Sequence, residues 1–313
     1  MVRIGIDLGG TNIVAGVVDE QYKIVATAKC KTNAPRPAEE IVADMARVCR
    51  EAAQKAGVTM DDVAAIGVGS PGTCNGDTGL VETAPNLGFV NVPLKKMLSD
   101  LLGKPVTVEN DANAAAYGEY LAGAGKGKKN LVCITLGTGV GGGVIIDGKI
   151  FAGHNYAGTE LGHDVIVMGG EPCTCGRRGC WEAYASATAL IRQTRRAMEA
   201  HKDSKMWQLA DSLDKVNGLT AFDAMRAGDA AGKAVVEQYF DYIACGLTNM
   251  VNIFQPEVIC VGGGISHEGE TLMAPLRAYV EREQFAKYTP SKTQVTVAQL
   301  SNDAGIIGAA YLG

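Results

Sequence analysis

The sequence predicts an α/β protein of two related halves, each a largely parallel sheet covered by helices, with a structural metal in the second. Strand-like apolar runs alternate with segments of helical period. A glycine-rich turn with matching surroundings occurs twice, at Asp7-Leu8-Gly9-Gly10-Thr11-Asn12 and at Thr135-Leu136-Gly137-Thr138-Gly139. One histidine and three cysteines crowd the stretch from Glu160 to Glu182.

The first half opens on the apolar strand Ile4 to Ile6, its glycine turn, and a second run from Val14 to Asp19 followed by Lys23-Ile24-Val25. Ile41, Met45, Val48 and Ala52 recur at helical spacing after Pro37 and predict an amphipathic helix. Val63 to Val68 reads as a strand ending at Ser70-Pro71-Gly72, and a loop with Pro85-Asn86 follows. Pro93 to Leu102 is a short helix stopped by Gly103, and Val106-Thr107-Val108 is a strand leading into Glu109-Asn110-Asp111 and the helix Ala112 to Leu121. The second half repeats the opening, with a strand at Leu131 to Ile134, the turn, Val144 to Asp147 and Lys149-Ile150-Phe151. Helices are expected at Thr188 to Ala200, Ala231 to Phe254 and Ala304 to Leu312, and a strand at Val258 to Val261 running into Gly262-Gly263-Gly264.

A strand, glycine turn and returning strand present consecutive backbone N–H groups at the tip, a concavity that binds anions without a helix. Two such copies would clamp a polyphosphate. Either turn alone reads equally as an ordinary hairpin, and it is their pairing that favours the phosphate reading. Gly137, Gly139 and Gly142 also match the dinucleotide spacing, but Val144-Ile145-Ile146 continues as a strand where that fingerprint requires a helix. A nicotinamide site is therefore rejected.

His163, Cys173, Cys175 and Cys180 offer one imidazole and three thiols, which suits a four-coordinate tetrahedral zinc with no open position. Gly176 and Gly179 let the short loop reverse, and Arg177 and Arg178 favour the thiolate form. The alternative is a disulfide or unconnected buried thiols, and a disulfide pair would leave His163 unexplained and need an oxidising compartment.

Asn110-Asp111 sits where a strand ends and a helix begins, a place from which side chains reach the ligand crevice of such folds. Asp111 is the candidate general base. Either residue can simply cap the helix, and both roles can coexist. Glu160 and Glu182 read equally as solvated acids, Asn86 as a turn residue, and Gly262 to Gly264 as the end of a strand.

At 313 residues the chain has room for two domains. Nine scattered cysteines, and an N-terminus that runs into a strand without a signal peptide's pattern, indicate a reducing cytoplasm. The longest uncharged run, Leu131 to Ile146, is glycine-rich and shorter than the roughly 20 residues that span a bilayer. A net charge of −5 with dispersed Lys and Arg argues against a nucleic-acid surface, and Lys126 to Lys129 does not fit a phosphate-loop spacing.

The combination of Asp7-Leu8-Gly9-Gly10-Thr11-Asn12, Glu109-Asn110-Asp111, Glu160-Leu161-Gly162-His163, Cys173-Thr174-Cys175-Gly176 through Cys180-Trp181-Glu182, and Gly262-Gly263-Gly264 resembles the ROK family of repressors, open reading frames and kinases. The likeness runs from Ile4 to the terminal helix. It implies a two-lobed actin-like, ribonuclease H-type fold. The N-terminal lobe would span 1–112, with a C-terminal helix at about 300–313 packing back on it, and the C-terminal lobe 113–299 with the zinc segment. Within the family, Cys180 to Thr188 and Ala84-Pro85-Asn86-Leu87 are most similar to the glucose-phosphorylating kinases.

Carried over residue by residue, the resemblance implies that Asp111 is the base, with Asn110, Glu160, His163 and Glu182 binding sugar hydroxyls and Gly72 and Asn86 contributing from the first lobe. His163 has two ring nitrogens, one for zinc and one for the sugar. Gly9, Gly10, Thr11, Asn12, Gly137, Thr138 and Gly139 would line the triphosphate, and Gly262, Gly263 and Gly264 would approach the adenosine. Asp7 would orient magnesium through water. ATP, Mg2+ and structural Zn2+ are the implied cofactors, and a homodimer the implied assembly. The alternatives are an N-acetylhexosamine or other hexose kinase, a sugar-sensing transcription regulator, and an actin- or chaperone-like ATPase. A regulator needs a helix-turn-helix ahead of the first strand, where this sequence has three residues before Ile4. The cysteine cluster and the Asn110-Asp111 pair speak against a simple ATPase.

Overall fold

A computed structural model describes all 313 residues. Along the chain, β1 (Val2–Leu8), β2 (Asn12–Val18) and β3 (Ile24–Lys31) precede α1 (Ala38–Lys55) and β4 (Val63–Ser70). Next come β5 (Thr73–Asn75), β6 (Leu80–Ala84), β7 (Phe89–Val92), α2 (Leu94–Leu102), β8 (Val106–Asn110) and α3 (Asp111–Ala122). The second series is β9 (Leu131–Leu136), β10 (Val140–Ile146), β11 (Lys149–Ile150), α4 (Glu182–Ala185), α5 (Ala187–Ala200), α6 (Met206–Ala210), α7 (Thr220–Arg226) and α8 (Ala230–Phe254). It closes with β12 (Val258–Gly262), α9 (Glu270–Glu283), β13 (Gln294–Val297) and α10 (Asp303–Ala310). No helix is long and apolar enough to cross a membrane.

The two large sheets have the strand orders β3-β2-β1-β4-β8 and β11-β10-β9-β12-β13. Position for position the orders are the same, so the duplication seen in the glycine turns extends to the topology. Each sheet is more mixed than the sequence suggests. The first glycine turn sends the chain straight back, so β2 is antiparallel to β1, and tight turns likewise make β3 antiparallel to β2 and β11 antiparallel to β10. Parallel pairing joins β1 with β4, β4 with β8, and β12 with β13. The stretch after Gly72, expected as a loop, folds into a small antiparallel sheet ordered β5-β6-β7.

The chain divides into two compact units, residues 1–133 with 142–159 and 298–313, and residues 134–141 with 160–297. In the first, α1 buries Ile41, Met45, Val48 and Ala52, the periodic residues, in a core shared with Ile4, Ile6, Val68, Leu87 and Phe89. Helix α10 lies unusually close to its neighbours. A Cβ on Gly67 would fall 1.6 Å from the Ala309 carbonyl oxygen, and one on Gly308 would fall 1.8 Å from that of Ala114. Only glycine permits backbone to approach backbone this closely. In the second unit, α8 is capped by Asp229, whose Oδ1 accepts from Gly232 N at 2.6 Å, and it buries Tyr239, Ile243 and Leu247.

Candidate active site

In the first unit β1 delivers Asp7 and β8 delivers Asn110, while Asp111 opens α3. Asn110 is the cap of that helix. Its Oδ1 accepts from the Ala112 and Asn113 amides at 2.9 and 3.1 Å, and its Nδ2 donates to the Gly72 carbonyl at 3.1 Å. Capping by Asn110 leaves Asp111 less encumbered, with one oxygen accepting from Ala112 N at 2.9 Å. Burial raises the Asp111 carboxyl above its ordinary value. Asp7 is pushed up to about 6, first by burial and then by the charge of Asp111. Two carboxylates thus share a poorly hydrated setting, an electrostatic conflict that a cation would relieve.

The first glycine turn closes on itself, Gly9 N donating to Asn12 O at 2.9 Å, and the Thr32 hydroxyl holds the Gly9 carbonyl at 2.6 Å. A Cβ on Gly10 would meet the Asn86 amide nitrogen at 3.3 Å. A candidate sugar residue therefore lies against a candidate phosphate residue. Thr11, Asn12 and Asn86 are exposed. Glu109 has no role that its sequence position predicts, although it stands in the Glu109-Asn110-Asp111 motif. Its Oε1 accepts from Asn110 N at 2.9 Å and Asn113 Nδ2 at 3.0 Å, and burial raises its pKa. Glu109 orients the two asparagines that flank Asp111.

In the second unit the other turn also closes locally, with Gly137 N donating to Gly139 O at 3.0 Å. Gly263 has φ +86, and a Cβ there would fall 2.3 Å from Leu136 O, so Gly262 to Gly264 at the end of β12 press against the base of the Gly137–Gly139 turn. The three glycine segments read as nucleotide ligands are thus two neighbours here and one in the first unit.

The four metal-ligand candidates converge. His163 Nδ1 lies 3.5 Å from Cys173 Sγ, Cys175 Sγ lies 3.6 Å from Cys180 Sγ, and the four donor atoms all lie within 4.8 Å of one another. Zinc–sulfur bonds of about 2.3 Å place tetrahedral sulfurs about 3.8 Å apart, so donor types and spacing both fit zinc. All nine cysteines are free of disulfides in this structure. Burial and the adjacent thiols push Cys180 up to about 12, whereas the Arg177 backbone amide lowers Cys175. Crowded thiols give up protons reluctantly until a cation joins them. Nδ1 faces the thiols, and the imidazole geometry turns Nε2 the other way.

Trp181 anchors this loop. It is fully buried, donates from Nε1 to Tyr242 O at 2.9 Å, and fills the space left by Gly246 of α8. Glu182 follows on α4, its Oε2 accepting from Val140 N at 3.0 Å. Glu160 is exposed, and its carbonyl accepts from His163 N at 2.9 Å.

The profile of the ROK family matches residues 3–313. A glucokinase of Thermotoga maritima is 38% identical over 310 residues, covering 99% of this chain and 96% of that protein. A glucokinase of Streptomyces coelicolor is 39% identical over 314 residues, covering 99% and 97%. Among solved structures, a ROK family glucokinase from Streptomyces griseus in complex with glucose and AMPPNP superposes with a TM-score of 0.81 at 39% identity, covering 100% of this chain and 99% of that one. On fold, motifs and full-length similarity, the chain belongs to the ROK family and has its actin-like sugar-kinase fold.

Proposed function

We propose that this chain transfers the γ-phosphoryl group of ATP to the C6 hydroxyl of glucose, with Asp111 as general base. The observation that carries this reading is Asp111 itself. It is a half-buried, pKa-raised carboxylate at a strand–helix junction, in the same unit as Asp7 and a glycine turn that abuts Asn86. A raised pKa brings a base closer to working pH and strengthens it. Full-length similarity to glucokinases supports glucose as the acceptor.

Asp111 accepts the hydroxyl proton as the oxygen attacks phosphorus in line and the bond to the leaving ADP breaks. Gly9 to Asn12, Gly137 to Gly139 and Gly262 to Gly264 serve the nucleotide. Gly72, Asn86, Asn110, Glu160, His163 and Glu182 serve the sugar. Asp7 would orient magnesium, and the ion, when bound, would neutralise phosphate charge. A homodimer in the cytoplasm belongs to the same proposal, as do lobes of 1–112, with the C-terminal helix at about 300–313 packing back on it, and 113–299.

ADP release measured over glucose, mannose, fructose, N-acetylglucosamine and N-acetylmannosamine tests the substrate. A site built on hydrogen bonds to ring hydroxyls rejects analogues that leave buried partners unpaired, so glucose is expected to have the highest kcat/KM. A competitor equal to glucose overturns the assignment.

Zinc is the proposed metal of His163, Cys173, Cys175 and Cys180. Elemental analysis of protein purified without added metal should find one zinc per chain, and Cys175→Ser should lose both the metal and sugar affinity. Full activity in a metal-free preparation refutes its structural role.

A further inference from the structure

The cysteine loop and the Gly137–Gly139 turn are tied together by two side chains. Glu182 is the first tie. Its Oε2 accepts from the Val140 amide at 3.0 Å and sits where a Cβ on Gly139 would be, 2.3 Å away. Its other oxygen accepts from the Thr174 hydroxyl at 3.4 Å and lies 3.8 Å from Cys173 Sγ. One carboxylate therefore spans from a metal-ligand segment to the turn. Thr188 is the second tie. Its exposed hydroxyl donates to the Thr138 carbonyl at 2.8 Å, and one residue earlier Ala187 N donates to Gly137 O at 2.8 Å. Both carbonyls are at the tip of the turn.

We infer that Glu182 and Thr188 are positioning residues for the phosphate turn, and that zinc in the cysteine loop sets nucleotide affinity through Glu182. This rests on the proposed ATP-dependent function and extends it, because the metal is otherwise expected to shape only the sugar side. Cys173, held by zinc, would fix Thr174, whose hydroxyl donates to Glu182 Oε1 while Oε2 accepts from Val140 N. Without the ion, the loop loses its tetrahedral restraint, Glu182 loses one end of its support, and the turn loses an acceptor to one of its amides. Hydrogen bonds with a charged partner are the strong ones, so the effect is measurable. Thr188 acts independently of the metal, since its contact reaches the turn from the start of α5.

The test is calorimetric titration of the full chain with Mg·AMPPNP and, separately, with glucose. Chelator-treated protein is compared with protein reloaded with zinc, and hydrogen exchange of the Val140 amide is followed in both. Zinc removal is expected to raise the nucleotide Kd about tenfold and to speed exchange at Val140. Thr188→Val, isosteric and on the surface, should keep its zinc and its glucose Kd but raise the nucleotide Kd roughly three- to tenfold. In Glu182→Ala, zinc removal should have little further effect on nucleotide Kd, because the coupling element is gone. A nucleotide Kd within twofold between zinc-free and zinc-loaded protein overturns the coupling, and an unchanged Kd in Thr188→Val overturns the role of that residue. Failure of zinc-loaded protein to bind nucleotide at all would instead sink the underlying kinase reading, and this inference with it.

Discussion

Asp111→Asn is expected to lower kcat roughly 10²- to 10⁴-fold while the protein stays folded and still binds glucose. The amide keeps the shape of the carboxylate and can still accept from Ala112 N at the start of α3. It cannot take a proton. Because Asn110, not Asp111, holds the helix cap through the Ala112 and Asn113 amides, loss of the charge should leave α3 in place. Steady-state kinetics combined with glucose calorimetry separates the two effects, since KM and Kd for the sugar should move far less than kcat. The pH profile supplies a second check. Asp111 must be ionised to act, and burial raises its pKa, so activity of the parent should fall on acidification from a higher pH than an ordinary aspartate would impose. A variant within threefold of the parent kcat removes Asp111 from the reaction.

How much the sequence discloses depends on how local the physics is. His163, Cys173, Cys175 and Cys180 are legible because ligand chemistry restricts residue type, and three of the four lie in one short loop. The glycine turns are legible because they repeat, and the shared strand order of the two large sheets is the same signal at the level of topology. By contrast, β5, β6 and β7 are strands of three to five residues, too short for a periodic pattern, and their sequence reads as loop. Helix α9 contains Pro275, a residue that ordinarily marks a break, yet its buried Leu272, Met273, Leu276 and Val280 hold it helical. The roles of Glu109, Glu182 and Thr188 are the least legible. Each depends on a group brought up by the fold, as when Val140 N meets Glu182 across 42 positions. A lone glutamate in a sequence carries no trace of such a partner.

Asp7→Asn is expected to stabilise the free protein at neutral pH while it abolishes most of the activity. Asp7 titrates at about 6 in the folded chain against an ordinary value of 3.8, with burial as the larger cause and the charge of Asp111 as the smaller. A raised acid is penalised when it ionises in the fold. The penalty is absent below 3.8, grows between that value and about 6, and is fully present above it, because the native state there has given up a proton that it holds more tightly than the unfolded chain does. The rise from 3.8 to about 6 corresponds to about 3 kcal/mol, which sets the scale of the gain at neutral pH and above. The amide has no charge to bury and no charge to set against Asp111. Urea unfolding of parent and variant, without added magnesium or nucleotide, should therefore show curves that coincide at pH values below 3.8 and separate as the pH rises through about 6, with the variant the more stable. The same substitution removes the negative charge proposed to hold magnesium, so kcat with ATP should collapse and excess magnesium should not restore it. A stability difference independent of pH would show that burial of Asp7 carries no electrostatic cost, and full activity with ATP would take Asp7 out of the metal's reach.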